Sequence, residues 1–395
     1  MENKHNKILF IGSVCPLGMY AELQKQGAIS DYAAYTFQEA IISGLLENGC
    51  ELEVLTAPSI KSYPRCSILL QESFCMKEES GVRWQGMGFI NLPFIRLMCN
   101  FINESIALYK MHKYDRDIII YSLPSFQLLA SMLFARKNKK YVIITDLPEY
   151  MSSSKNPIYR LLKKIDRWII NSALKYINGY VLLSKAMLER LDIEDKPYVV
   201  VEGIYSVTDI TKQQTKYPKT VLYTGGIEKR YGLKDLLDAF TQIEGPDYRL
   251  WLCGSGDIQM VKEYASKDSR IVYYGLLPHE KVLQMQREVA LLVNPRHGNE
   301  EFTKYSFPSK TMEYMASGTP TLMCKLDSIP REYYKHLLFF EDESVLGMSY
   351  RIKELLDAPY DEMNKIGTAA SEFIKSQKNY KIQTERILNM ILNNR

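Results

Sequence analysis

From Ala290 to Met323 the chain runs through an apolar strand-like stretch (Ala290–Val293), a polar loop, a helical stretch that stops at Ser317–Gly318, and a second apolar stretch, Thr319–Met323. Strand, loop, helix, glycine stop, strand is the unit of a parallel α/β sheet, because parallel neighbours must be joined by a crossover and the usual crossover is a helix. The same alternation runs through the rest of the chain. Strand-like runs in the first half are Lys7–Ile11, Glu51–Leu55, Asp117–Tyr121, Tyr141–Thr145, Gly179–Leu183 and Tyr198–Val201. Helical patterns lie between several of them, notably Tyr32–Asn48 and Ser125–Arg136. In the second half the runs are Thr220–Thr224, Tyr248–Leu252, Ile271–Tyr274, Ala290–Val293, Thr319–Met323 and a short Leu338–Phe340. The pattern predicts two α/β domains, each a parallel sheet with helices on both faces. The boundary is expected in the polar stretch Gly203–Pro218. A length of 395 residues suits two domains of ordinary size.

Composition excludes several classes. Apolar residues make up 46% and charged residues 24%, as in a soluble globular protein. A net charge of +4 is too slight to imply a nucleic-acid partner. No secretory leader and no run of about eighteen apolar residues is apparent, so a cytoplasmic protein without a membrane span is expected. The seven cysteines are scattered, with no C-x-x-C pair. Cys15, Cys50, Cys253 and Cys324 read as small core residues and reduced thiols. His5, His112, His279, His297 and His336 lack metal-ligand spacing, and the chain is read as having no Asp-x-Asp motif. No metal or other cofactor is expected.

The loop and helix of Asn294–Pro320 carry the strongest chemical signal. In a doubly wound sheet, ligands sit at the carboxyl ends of strands and at helix N-termini. Lys310 falls in the first turn of the helix and Glu313 lies three residues on, on the same face. A cation there suits a phosphate, and the carboxylate suits a ribose diol. The expected ligand is a nucleotide with its phosphates. Upstream, the strand Thr220–Thr224 meets Gly225–Gly226 and the basic turn IEKRYG before a helix at Leu233–Phe240, a phosphate cradle in outline. Arg230, with Lys229 beside it, is the candidate cation there; the alternative is a solvated basic turn. Gly254 and Gly256, after the strand Tyr248–Leu252, either border the ligand cleft or make an ordinary βα turn. Ser13–Ser30, carrying Gly18 just beyond Gly12, is long for a βα connection, and long loops at strand ends are often functional. Asp146 and Glu149 follow the strand Tyr141–Thr145. A carboxylate just past a strand end faces the ligand cleft of a doubly wound sheet, which makes Asp146 the candidate for orienting a bound ligand, with Glu149 second; the alternative is that Asp146 opens a turn before Pro148.

With NPR, NEEFTKYSFPSK and EYMASGTP in view, the chain resembles the retaining glycosyltransferases of family 4, and in particular a branch that carries NPR, NEEFTKYSFPSK and MEY much as they stand here. The resemblance implies the GT-B fold: two Rossmann-like domains facing each other across a cleft, with the C-terminal helix crossing back to the first. That gives an acceptor-binding domain at 1–204 with a helix at 376–395, and a nucleotide-sugar-binding domain at 205–375. The family signature is Glu, seven residues, then Glu. Glu313 is the second, and the first falls at Tyr305, so the sugar-contacting role passes to Tyr305, Ser306 and Phe307. The family's Gly-Arg and later Lys, which hold the diphosphate, correspond to Gly226 and Tyr231. The resemblance also places the loop of Gly12 and Gly18 near the phosphates and the acceptor.

The activity implied is transfer of a sugar, metal-independent and with retention, from a nucleoside-diphosphate sugar, UDP-linked, to a glycan or lipid-linked acceptor in surface polysaccharide or glycoconjugate synthesis. A nucleotide-sugar epimerase of the same fold and a non-catalytic partner subunit are the alternatives.

Two stretches bear on location. Ile158–Ile177 reads as an amphipathic helix with Ile158, Leu161, Leu162, Ile165 and Ile169 on one face and Arg160, Lys163, Lys164 and Arg167 on the other. Trp84–Phe101 is rich in aromatic and aliphatic residues, among them Phe89, Leu92, Phe94, Leu97 and Met98. Either these pack on a core, or they meet an anionic membrane on its inner face, where a lipid-linked acceptor would lie.

Overall fold

A computed structural model describes residues 6–111, 114–147, 157–206, 217–299 and 301–394. They form two compact units, Met1–Ile204 with Tyr380–Arg395, and Tyr205–Asn379.

Unit 1 contains β1 (Lys7–Gly12), α1 (Leu17–Lys25), α2 (Tyr32–Glu47), β2 (Glu51–Thr56), β3 (Leu70–Gln71), β4 (Phe74–Lys77), β5 (Arg83–Gly86) and β6 (Phe89–Ile90). It continues with α3 (Pro93–Met111), β7 (Asp117–Tyr121), α4 (Ser125–Phe134), β8 (Lys140–Ile144), α5 (Pro157–Leu174), β9 (Gly179–Leu182), α6 (Met187–Leu191) and β10 (Tyr198–Val200). Its main sheet has the order β10-β9-β8-β7-β1-β2-β5-β4. Seven strands are parallel, and β7 (DIIIY) and β8 (KYVII) are buried along their whole length, as expected where helices cover both faces. The edge departs from the all-parallel expectation: β4 pairs antiparallel with β5, and β3 with β6 forms a separate antiparallel pair. These strands are two to four residues long, too short for periodicity to reveal.

The predicted long loop Ser13–Ser30 is also corrected, because α1 occupies much of it. Gly18 lies exposed in the first turn of that helix, with nothing near its Cα that would exclude a side chain. Gly12, by contrast, ends β1 against Gln38 of α2, whose amide accepts from Ser13 N (2.8 Å) and donates to Ala34 O (3.0 Å).

Unit 2 contains β11 (Tyr217–Ile227), α7 (Leu233–Thr241), β12 (Arg249–Gly256), α8 (Ile258–Lys267), β13 (Ile271–Tyr273), α9 (His279–Glu288), β14 (Val289–Asn294), α10 (Ser309–Ser317), β15 (Thr321–Met323), β16 (Leu338–Phe339), α11 (Val345–Asp357) and α12 (Tyr360–Gln377). The sheet order is β13-β12-β11-β14-β15-β16, every pair parallel. Connections run outward in both directions from β11 and β14, so the topological switch point lies between them. Leu233, Leu236, Leu237 and Phe240 of α7 are fully buried with Val221, Leu250 and Leu291 of the strands, which holds the helix to the sheet.

The last helix, α13 (Tyr380–Asn393), belongs to unit 1. Residues 376 and 377, expected in it, end α12 instead. Thr384 and the Tyr380 carbonyl press on Gly44 of α2, where a Cβ would have no room. Asn48 donates to Lys381 O (3.0 Å) and Thr384 Oγ1 (2.9 Å) across the same contact. All seven cysteines are free, and Cys15, Cys50, Cys253 and Cys324 are buried.

Candidate functional site

The predicted glycine turn at Gly225–Gly226 is part of a strand. β11 runs on through both glycines to Ile227, in register with Gly254–Gly256 of β12, which likewise continues its strand rather than forming a turn. The composition explains the close pairing. Gly254 has φ 145°, and a Cβ there would collide with the Gly225 carbonyl. A Cβ on Gly225 would lie 2.9 Å from Tyr223 Oη and 3.2 Å from Lys310 Cε. The missing side chains thus let the Lys310 stem approach the backbone of β11.

Helix α10 is pinned against this strand. Tyr314 is buried, and its hydroxyl receives Thr224 N–H (2.7 Å) and donates to Thr224 O (3.0 Å). Its phenol is held far above the ordinary range, chiefly by burial. Asn294 at the end of β14 donates to Thr311 Oγ1 in the first turn of the helix (3.3 Å). Lys310 is thereby placed beside Gly225, with Glu313 three residues further along the helix. The Lys310 side chain reaches solvent but is closely surrounded by protein. That desolvation lowers its pKa, against the opposing charges of Glu313 and Cys253. Glu313 is oriented by two residues that linear reading did not single out. Gln286 of α9, fully buried, donates to Glu313 Oε1 (2.5 Å), and His279, first residue of α9, brings Nε2 to 3.6 Å from Oε2.

The basic turn divides differently from expectation. Lys229 and Arg230 are exposed, and Arg230 pairs with Glu228 (2.6 Å), which raises its pKa. Tyr231 lays its ring on Gly226, within 2.8 Å of the position a Cβ would take. Arg230 stands over that ring at 4.9 Å, and so, at 5.1 Å, does Arg296 from the loop after β14. Arg296 is half-buried. Burial lowers its pKa, Tyr231 and Tyr223 oppose, and the Arg230 charge lowers it further. Gly232, with φ 73°, begins α7 and packs against the carbonyl of Pro295 so tightly that no Cβ fits.

The loop after the short 3-10 helix Glu301–Lys304 holds Tyr305 and Ser306, both half-buried, and Phe307. The Phe307 ring is in the core, 5.3 Å from the Tyr333 ring, so this residue can offer a sugar its backbone but not its side chain. Ser306 O accepts from Ser328 (3.1 Å).

Beside this cluster is one that sequence spacing concealed. His297 is hydrogen-bonded on both nitrogens by carboxylates, Nδ1 with Glu343 (2.8 Å) and Nε2 with Asp235 of α7 (2.9 Å). Cys324 Sγ lies 3.9 Å from Nδ1. The His297, Cys324 and Glu343 donor atoms fall within 4.8 Å of one another, close enough for a metal. An imidazolium between two carboxylates also satisfies the group as it stands. Burial alone would lower the His297 pKa, but the hydrogen bonds and charges of Glu343 and Asp235 outweigh it and raise it.

The reading that no Asp-x-Asp occurs is corrected as well. Asp115-Arg116-Asp117 has that form, but Asp117 is the first residue of β7, at the amino end of the strand, and Arg116 pairs with Glu53.

In unit 1, Asp146 follows β8 and is exposed, and its charge is felt by the buried Tyr121 phenol. Glu149 lies outside the described residues. The two readings of α5 part along its length. Ile169, Ile170, Ala173 and Leu174 are buried, whereas Leu161, Leu162, Ile165 and Trp168 face solvent, Trp168 at 70% exposure. On α3, Phe94, Leu97, Met98, Ile102 and Ile106 are likewise exposed, while Trp84 and Phe89 are buried. No helix among the described residues is long and apolar enough to cross a membrane.

Two parallel-sheet units, the second returning its last helix to the first, are the GT-B architecture, and solved structures of that fold match along the whole chain. The catalytic domain of starch synthase IV from Arabidopsis thaliana, bound to ADP and acarbose, aligns over 99% of each chain with a TM-score of 0.67 at 9% identity. Sucrose-phosphate synthase from Thermosynechococcus elongatus aligns over 98% of this chain and 99% of its own, with a TM-score of 0.60 at 15% identity. Anabaena HepE, in complex with UDP and glucose, aligns over 98% of this chain and 100% of its own, with a TM-score of 0.61 at 14% identity. At these identities the likeness establishes the fold. Residues 218–358, most of unit 2, match the family model for group 1 glycosyl transferases. The chain therefore has the GT-B fold, and its second unit carries a group 1 glycosyl transferase domain. No curated protein matches the sequence.

Proposed function

We propose that this chain transfers a sugar, with retention and without a metal, from a UDP-linked donor to a glycan or lipid-linked acceptor in the synthesis of a surface polysaccharide or glycoconjugate. Unit 2 would hold the nucleotide sugar and unit 1 the acceptor. The observation that carries the reading is the grouping at the carboxyl ends of β11 and β14: an oriented carboxylate, Glu313, one turn from Lys310, against a glycine strand end. Glu313 is suited to accept from the ribose hydroxyls, Lys310 to meet the diphosphate, and the backbone of Tyr305–Phe307 to meet the sugar. In the reaction the bond between the anomeric carbon and the diphosphate oxygen breaks, and the acceptor oxygen bonds to the same face of that carbon. The acceptor proton passes to the departing phosphate. No side-chain nucleophile is required; the protein positions the reactants and stabilises the leaving charge. Asp146 is assigned to orienting the donor or acceptor hydroxyl.

Incubating the protein with a panel of labelled UDP- and ADP-sugars, with and without acceptor and EDTA, tests the reading. A glycoside, or slow release of free sugar from a UDP donor, unaffected by EDTA, is expected. Isomerised nucleotide sugar would identify an epimerase, no turnover of any donor a non-catalytic subunit, and loss on chelation restored by manganese would overturn metal independence.

A specific observation favours a membrane-bound acceptor and a cytoplasmic protein peripheral to the inner membrane face. The apolar side of α5 faces solvent at Leu161, Leu162, Ile165 and Trp168, beside Arg160, Lys164 and Arg167. A helix that leaves its apolar stripe uncovered next to cations is suited to an anionic bilayer.

A further inference from the structure

The strand order β11-β14-β15-β16 sets the outgoing ends of four strands side by side, and the segment leaving each of them sends one side chain to a common point. Asp235 lies in the first turn of α7, after β11. His297 is in the loop after β14, Cys324 directly follows β15, and Glu343 lies between β16 and α11. Backbone contacts fix the approach. Cys324 N–H donates to Asn294 O at the end of β14 (3.3 Å). A Cβ on Gly298 would come within 3.2 Å of the Lys325 carbonyl, so the loop carrying His297 lies on the one carrying Cys324. Asp342, not Glu343, bonds the Ser344 that caps α11, and the Glu343 carboxylate turns to His297 instead.

The three donors are a ring nitrogen, a sulfur and a carboxylate oxygen. His297 Nδ1 is 2.8 Å from Glu343 and 3.9 Å from Cys324 Sγ. Two ligands of a tetrahedral zinc ion lie roughly 3.3–3.6 Å apart, given metal bonds of about 2.0–2.3 Å. Small side-chain rotations therefore close the set. The second ring nitrogen adds an observation of its own: Nε2 is 2.9 Å from Asp235. A histidine that binds a metal through one nitrogen usually donates its other N–H to a carboxylate, which fixes the tautomer and the ring plane. An ion pair alone accounts for His297 between two carboxylates but gives the thiol no part. Burial, with the Glu343 and Asp235 carboxylates, pushes that thiol up, and zinc deprotonates a coordinating thiol outright. Cys324 is fully buried, whereas His297 and Glu343 keep 21% and 34% of their side chains exposed, an entry path for an ion.

We propose that His297 Nδ1, Cys324 Sγ and a Glu343 carboxylate oxygen form a reversible zinc-binding site, with Asp235 orienting the imidazole from behind and water completing the tetrahedron. On binding, the thiol and Nδ1 give up their protons to solvent, so the imidazolium between two carboxylates is the metal-free form. The thiolate sets the choice of metal, because sulfur favours zinc over magnesium and manganese, which take oxygen donors. The ion ties together the loops leaving β14, β15 and β16. It takes no part in the sugar transfer proposed above, and the assignment does not depend on that reading.

Titration of the full, reduced chain with cobalt(II), followed by absorption and competed with zinc, tests the site. The wild type is expected to show a thiolate-to-cobalt charge-transfer band that zinc displaces, and zinc is expected to raise its urea midpoint. Cys324→Ser should lose both the band and the zinc-dependent shift. Asp235→Asn should keep the band and bind cobalt about 10- to 100-fold more weakly. Cys75→Ser, which changes an exposed thiol, should leave the band as it is. Should Cys324→Ser fail to fold, Glu343→Gln is read in its place, and there a loss of cobalt affinity of about tenfold or more supports the site and an unchanged affinity overturns it. A wild type without the band, or a folded Cys324→Ser that keeps it, would overturn the proposal, as would a band lost in Cys75→Ser, which would mark adventitious metal at a surface thiol only. A chain that binds zinc at this site but turns over no donor would overturn the transfer reading and leave the metal site standing.

Discussion

Replacing Glu313 tests the donor site most directly, and the structure sets both the size of the effect and the control. The carboxylate can accept at about four lone-pair positions, and Gln286 occupies one of them on Oε1. The remainder is available to ribose hydroxyls. A hydrogen bond to a charged group contributes about 1.5–3 kcal/mol. Counting a single such bond, because Glu313 keeps 28% of its side chain exposed, UDP should bind about tenfold to about 150-fold more weakly in Glu313→Ala. Alanine carries a second cost. The buried Gln286 amide loses its acceptor, which lowers stability by about 1–3 kcal/mol. Glu313→Gln separates the two effects, because its amide oxygen can still accept from Gln286 while the negative charge is gone. The glutamine variant should therefore unfold in denaturant near the wild-type midpoint yet show weakened UDP binding by calorimetry. A folded Glu313→Gln protein with wild-type UDP affinity would refute the ribose assignment.

Four other outcomes are expected. Asp146→Asn should keep UDP affinity and lower transfer turnover, since an interaction made only in the transition state does not change ground-state binding; wild-type turnover would mark Asp146 as a turn residue. Gly254→Ala should destabilise the chain by more than about 1 kcal/mol in urea unfolding, because the added carbon meets the Gly225 carbonyl at a positive φ; an unchanged midpoint would contradict the tight β11–β12 pairing. His297 has a folded pKa above its ordinary 6.5, so its contribution is complete below about that pH and is lost as pH rises through the folded value. Stability should thus decline above pH 6.5 in the wild type, and a His297→Gln variant that declined equally would show that another group titrates. Liposomes containing anionic lipid should float the protein at low salt and release it at high salt, and changing Arg160, Lys163, Lys164 and Arg167 to Gln should abolish binding; a wild type that never floats would make α5 an ordinary surface helix.

Much of this molecule is legible in one dimension because its signals are local. β7 and β8 read as strands because four consecutive residues in each, after an opening Asp117 or Lys140, are aliphatic or aromatic, as is needed where both faces are covered. Lys310 and Glu313 could be placed on one helical face by their spacing alone, and Gly318, in the left-handed conformation, does end α10. Other features have no local signal. Gly225–Gly226 and Gly254–Gly256 look like turns, and they are strand because each supplies the space the other's backbone needs. Whether the apolar stripe of α5 packs on a core depends on neighbours that its own periodicity does not name.

The cations show the division most clearly. Reading along the chain favours Arg230, the charge nearest the glycines. The sheet instead sets β14 beside β11 and brings Arg296 to the same ring from 66 residues on, as it brings Glu343 to His297 across a separation of 46. Residue types and their periodicity determined which elements form and that a helix with Lys310 and Glu313 on one face is among them. Strand order, a property of the whole sheet, decided which side chains meet around it.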